Sequence, residues 1–121
     1  MTNDCATGDQ GAARVPHQRS LHNAEIILRA AAAFAPTLMI GPPPVLGDKE
    51  ADTRLRRLSD DLATLCHRLG IPFLETASFI SQCETWRRET LAGDGAHPNK
   101  NGYAALAEFI AAWPGYNRWL S

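Results

Sequence analysis

The chain has little cysteine, few aromatics, no surplus of either charge and no long apolar run, and each shortage excludes something. Its three cysteines, Cys5, Cys66 and Cys83, are odd in number and lack Cys-x-x-Cys spacing. That argues against both a disulfide framework and a thiolate zinc site, and a reduced, cytoplasmic setting is the expectation. Twelve Lys and Arg oppose thirteen Asp and Glu, for a net charge of −1. Nucleic acid and anionic membrane surfaces are therefore not expected partners, since both need clustered basic charge. Trp86, Trp113 and Trp119 have no basic stripe beside them and read as packing residues. No apolar run approaches the ~20 residues of a membrane span. The longest, residues 30–35, is broken by Pro36. The opening MTNDCATGDQ GAARVPHQRS contains no hydrophobic segment of the signal-peptide kind.

The 121 residues are 45% hydrophobic and 21% charged, a balance that suits one soluble domain with one core. Residues 1–16, rich in Gly, Asp and Asn, read as a loop. From Gln18 the period turns helical, with Leu21, Ala24, Leu28, Ala31 and Ala35 on one stripe until Pro36 ends it. Thr37-Leu38-Met39-Ile40 is continuously apolar and is cut off by Gly41-Pro42-Pro43-Pro44, as a strand buried on both faces would be. Ala51, Leu55, Leu58, Leu62, Leu65 and Leu69 step by three and four along the clearest helix, which Gly70 caps. Ile71-Pro72-Phe73-Leu74 is a second strand. Residues 81–98 read as a loop with a short helix around 85–91. A last helix runs over 99–113, with Leu106, Phe109, Ile110 and Trp113 inward, and Pro114 stops it. Strands alternating with helices predict an α/β fold with adjacent parallel strands, covered by the helices that bear Leu28 and Leu62. Two strands alone make a poor sheet, so the chain reads as part of a domain.

The chemistry concentrates in Asp94-Gly95-Ala96-His97-Pro98-Asn99. An Asp three residues before a His, in a Gly-containing turn at the mouth of a helix, can set a carboxylate beside an imidazole. An acid–base histidine needs that partner to fix its tautomer and to stabilise the imidazolium. The same spacing also fits a surface turn in which Asp94 and Asn99 cap local structure. His17, His22 and His67 have no carboxylate at useful sequence spacing and read as surface histidines. Cys66 reads as a small, partly buried thiol. Cys83 could in principle serve His97 as a nucleophile.

Asn3-Asp4 at the start, Gly41-Pro42-Pro43-Pro44 after the first strand and Asp94-Gly95-Ala96-His97-Pro98 before the last helix come in a telling order. Together with Leu21-His22-Asn23 opening the first long helix, they resemble the SGNH (GDSL-type) hydrolases, a family of esterases and lipases. The resemblance spans essentially the whole chain. It implies a flavodoxin-like three-layer α/β/α sandwich on a parallel sheet, and hydrolysis of small carboxylic esters through an acyl-serine intermediate. It implies His97 as general base, Asp94 as the residue that holds His97, and Asn3 as a side-chain donor to the oxyanion. Prolines 42–44 would wall the cleft. No cofactor and no metal are implied.

The sequence departs from the family in two places. No Gly-Asp-Ser block is present, and none of Ser20, Ser59, Ser78, Ser81 and Ser121 follows Gly-Asp at a strand-to-helix turn. The block carrying a second oxyanion-hole glycine is missing too, and Met1 stands where the family has the first Gly of G-x-N-D. The expectation is a single, incomplete domain over 1–121: the C-terminal portion of such a hydrolase, with the N-terminal strands and the serine missing. An inactive remnant or binding module of the same fold is the alternative, associating through the exposed sheet edge. A metal site on Asp94 and His97 is the third reading, but catalytic zinc takes three protein ligands and no third is apparent.

Overall fold

A computed structural model describes residues 15–121. In chain order these form α1 (His17–Phe34), β1 (Met39–Ile40), α2 (Lys49–Leu69), β2 (Phe73–Leu74), α3 (Ala77–Ser81), α4 (Glu84–Leu91), α5 (Lys100–Ala111) and α6 (Pro114–Leu120). The two strands pair in parallel, Met39 opposite Phe73 and Ile40 opposite Leu74. The Met39 N–H donates to the Pro72 carbonyl at 2.9 Å, and the Gly41 N–H to the Leu74 carbonyl at 2.8 Å. The described residues are thus α/β, with α2 as the connection that parallel strands require.

Helix α2 organises the core. Leu55, Leu58, Leu62 and Leu65 recur at helical spacing, and each is buried. Both ends are chemically specified. At the start, the Asp48 side chain accepts the Ala51 N–H, with Glu50 and Asp52 in the first turn. At the finish, His67 and Arg68 lie in the last turn and Gly70 adopts φ 71°, its N–H reaching the Cys66 and His67 carbonyls. Acid at the N-terminus, base at the C-terminus and a left-handed glycine are what the helix dipole and its orphan carbonyls favour.

The leucine stripe packs with Ala24 and Leu28 of α1 and with Ile71, and Met39 and Phe73 reach the same cluster from the strands. Successive strand residues point to opposite faces, so Leu38, Ile40 and Leu74 turn away from this cluster. Both strands are consequently half-buried, not buried on both faces as the apolar run suggested. Helix α1 buries only Ser20, Ala24 and Leu28. Along the same helix Ile26, Ile27 and Phe34 are exposed, Phe34 at 93%.

Several local expectations need correction. The short helix expected within residues 81–98 is α4, at 84–91, but α3 before it was not expected, being too short to show a period. Pro114 does end the preceding helix, since α5 stops at Ala111, but it also sits in the first turn of α6. Proline suits that position because its missing N–H would have no partner there. Leu106, Phe109, Ile110 and Trp113 are half-buried, and of α5 only Gly102 is fully buried. Phe109 stacks on Phe79 of α3 with ring centroids 4.2 Å apart. His17 does have a carboxylate partner, since its Nε2 lies 2.7 Å from Asp61 Oδ2. Sequence spacing could not show that pairing, because 44 residues separate the two. Cys66 is wholly buried, and burial pushes its thiol pKa up.

Leu62, fully buried, and Ile27, 65% exposed, give a direct check on this packing. Leu62→Ala is expected to lower unfolding stability by about 2–5 kcal/mol, and Ile27→Ala to change it by at most about 0.5 kcal/mol. Urea unfolding of the two variants measures both.

Candidate active site

The His97 turn is built from its backbone outward. Gly95 adopts φ 81°, a left-handed conformation that glycine takes without a Cβ penalty. Its N–H donates to the Thr90 carbonyl at the end of α4, at 2.8 Å, and its carbonyl accepts the Leu46 and Gly47 N–H groups at 2.9 and 3.1 Å. A Cβ on Gly95 would lie 2.6 Å from Gly47 Cα, and one on Gly47 would lie 2.9 Å from Gly95 Cα. Two bare backbones therefore touch here, and neither position has room for a side chain.

That contact fixes where the turn sits. Residues 41–48 leave the carboxyl end of β1 and run into α2. They are tethered by Thr76, whose buried hydroxyl donates to the Gly41 carbonyl at 2.8 Å, and by Asp52, whose carboxylate accepts the Val45 N–H at 2.8 Å. Through Leu46 and Gly47 the loop carries the Asp94–His97 turn to the carboxyl end of the strands, where open α/β sheets bind their ligands. Pro42 and Pro44 are buried and Pro43 half-buried.

Asp94 folds back over its own turn. Its Oδ1 accepts the Ala96 N–H at 2.9 Å and the His97 N–H at 2.8 Å, while Oδ2 lies 2.7 Å from His97 Nδ1. The backbone N–H of His97, then that of Ala96, then the imidazole hold the Asp94 carboxyl well below the usual carboxylate range. The ionised carboxylate can only accept, so Nδ1 carries the shared proton, and it is on Nε2 that a neutral imidazole keeps its lone pair. Both side chains are open to solvent, 67% for His97 and 58% for Asp94, and Nε2 has no hydrogen-bond partner among the described residues. Asp94 thus both caps the turn and lies against the imidazole Nδ1.

Asn99 makes no capping bond with its side chain. The start of α5 is capped instead by Glu89 of α4, whose Oε1 accepts the Asn99 N–H at 3.1 Å and the Gly102 N–H at 2.7 Å. Sequence reasoning missed this residue. It lies 10 and 13 positions from its partners, beyond any local capping pattern.

No serine meets His97. Ser20 and Ser59 are buried in helices, Arg56 donates to Ser81 Oγ at 2.6 Å, Ser121 Oγ donates to the Asn117 carbonyl, and Ser78 lies in the first turn of α3 with its N–H on Glu75. Cys83 forms no hydrogen bond with His97 either. Asn3 lies outside the described residues, as do Asp4 and Cys5. Among the described residues no cluster of three or more His, Cys, Asp or Glu side chains could hold a metal ion. No helix there is long and apolar enough to cross a membrane. The cavity between α1 and α2, about 340 Å³, and the one beside α6, about 370 Å³, are lined by neither Asp94 nor His97.

The depressed Asp94 ionisation has a signed consequence. A carboxyl held below its unfolded value of about 3.9 stabilises the turn fully above that pH, and loses its contribution as pH falls through the folded value. Acid titration followed by NMR should therefore leave the Asp94 carboxyl ionised at a pH where an unperturbed Asp is half protonated. The Ala96 and His97 amide resonances should shift only in stronger acid, and Asp94→Asn should abolish that transition.

Among curated proteins none matches the chain significantly. A family model does: that of the GDSL-like Lipase/Acylhydrolase family, over residues 2–105. The matched span runs from the opening residues through the strands and the Asp94–His97 turn into α5, which is most of the chain, and the chain belongs to the GDSL-like lipase/acylhydrolase family.

Proposed function

We propose that these residues carry the acid–base half of an ester-hydrolysing centre that works through an acyl-serine intermediate. Residues 1–121 would form one incomplete domain of a three-layer α/β/α sandwich. One observation carries the reading: Asp94 Oδ2 lies 2.7 Å from His97 Nδ1 while the His97 side chain is exposed and its Nε2 has no partner among the described residues. In the reaction, Nε2 takes the proton from a serine hydroxyl as its oxygen attacks the ester carbonyl. The tetrahedral oxyanion accepts a hydrogen bond from the Asn3 amide. Collapse breaks the bond to the alcohol, which leaves with the proton from Nε2. Water then repeats the cycle on the acyl-serine and releases the acid. Asp94 stabilises the imidazolium at each transfer. The serine is none of the five in this chain and belongs to a Gly-Asp-Ser segment beyond it.

The sheet favours one alternative specifically. The bonds from Met39 and Gly41 face β2, so Leu38 and Ile40 direct their backbone groups to the opposite edge of β1. A binding module that docks through that edge would need no serine.

Activity separates the two. The 121-residue chain alone should hydrolyse p-nitrophenyl acetate near the background rate. Joined to an upstream segment bearing Gly-Asp-Ser, it should turn over and become labelled on that serine by a fluorophosphonate. His97→Ala and Asp94→Asn should then each lower kcat by about 10⁴-fold. Saturable turnover that survives His97→Ala would assign the chemistry to other residues. Absence of labelling in a folded, serine-bearing protein would favour the binding module.

A further inference from the structure

We propose that Glu89 is a positioning residue for His97, clamping the far end of the His97 turn to the start of α5. The inference rests on the reading of His97 as the general base. The turn is pinned at two places. In front, the Gly95 carbonyl is held by the Leu46 and Gly47 N–H groups. Behind, Oε1 of Glu89 accepts both the Asn99 and the Gly102 N–H. Only Pro98 lies between His97 and Asn99, and it is buried.

The rear clamp depends on glycine at 102. A Cβ there would lie 2.5 Å from Pro98 Cβ and 3.0 Å from Glu89 Oε1, so the carboxylate and the proline ring both close on the bare Gly102 backbone. A helix begins with N–H groups that have no intrahelical partner and with positive partial charge, and a carboxylate answers both. Asn99 leaves the role vacant, since its side chain makes no cap. Nothing else on this side holds the imidazole. His97 is exposed, and its ring is hydrogen-bonded to Asp94 alone among the described residues. Loss of Glu89 would orphan two N–H groups and loosen residues 98–99, so that among the described residues only the bonds from Asp94 to its N–H and its ring would hold His97. The imidazole would then leave its carboxylate although neither member of the pair had been altered.

Two measurements test the clamp. In the unaltered chain, the Asn99 and Gly102 amides should exchange with solvent about ten-fold slower than those of Lys100 and Asn101, which sit in the same helical turn without partners among the described residues. Ring ¹⁵N shifts of His97 should report the Nδ1–H tautomer in the unaltered chain. That signature should persist in Glu89→Gln, which keeps an acceptor oxygen, and be lost in Glu89→Ala, while the His17 ring signals stay put. In the serine-bearing protein, Glu89→Ala should lower kcat by up to about 10²-fold with little change in KM, as a misplaced base does. Equal exchange at the four amides overturns the proposal, even where Glu89→Ala fails to fold. So does an unmoved His97 tautomer in folded Glu89→Ala. Absence of ester hydrolysis in the serine-bearing protein would instead refute the role given to His97, and leave the ring signature to judge Glu89.

Discussion

Burial of one leucine stripe sets the geometry of everything else. Leu55, Leu58, Leu62 and Leu65 bind α2 to α1 and to the inward residues of both strands, and that contact fixes the direction of α2. Its first turn then decides where the preceding loop lies, because Asp48 caps the helix while Asp52, one turn on, takes the Val45 N–H. The loop in turn presents the Leu46 and Gly47 N–H groups to Gly95. A hydrophobic contact thus reaches the imidazole through a relay of hydrogen bonds, local ones from the Asp48 and Asp52 carboxylates and long-range backbone ones from Leu46 and Gly47 to Gly95. Side-chain packing supplies the energy and bare backbone supplies the precision.

The pairing of Gly47 with Gly95 shows how the second half of the relay is protected. Wherever two main chains approach this closely, the cheapest way to keep them together is to forbid side chains on both. At Gly102 a missing side chain serves a different contact, with the Pro98 ring and the Glu89 carboxylate. Both ends of the His97 turn therefore rest on positions where almost any substitution would push the neighbouring segment away.

What the sequence revealed and what it hid divide along one physical line. Features set by neighbours in the chain were legible: the α2 stripe with Gly70 behind it, the short apolar strands and their parallel pairing, and an Asp placed to reach a His in the same turn. Features set by distant partners were not. His17 with Asp61, Gly47 with Gly95, and Glu89 with Gly102 are contacts between segments that periodicity cannot align. Helix α6 is a similar case: Pro114 ends one helix and starts the next, and Trp119 anchors that next helix by donating from its indole nitrogen to the Pro36 carbonyl at 3.0 Å, 83 residues away. Asn3 was legible as a motif, but its place in the structure lies outside the described residues.

The openness of the Asp94–His97 pair bears on how strongly its two members attract each other. Two groups this exposed interact through water, whose high dielectric and mobile ions weaken the attraction between carboxylate and imidazolium. Lowering the effective dielectric from that of bulk water to one near 20, as a covering surface does, strengthens the same Coulomb attraction about four-fold without moving an atom. The pair is pre-aligned but electrostatically muted. Any surface that lies over it would supply insulation, and salt should weaken the pair far more in the open arrangement than in a covered one.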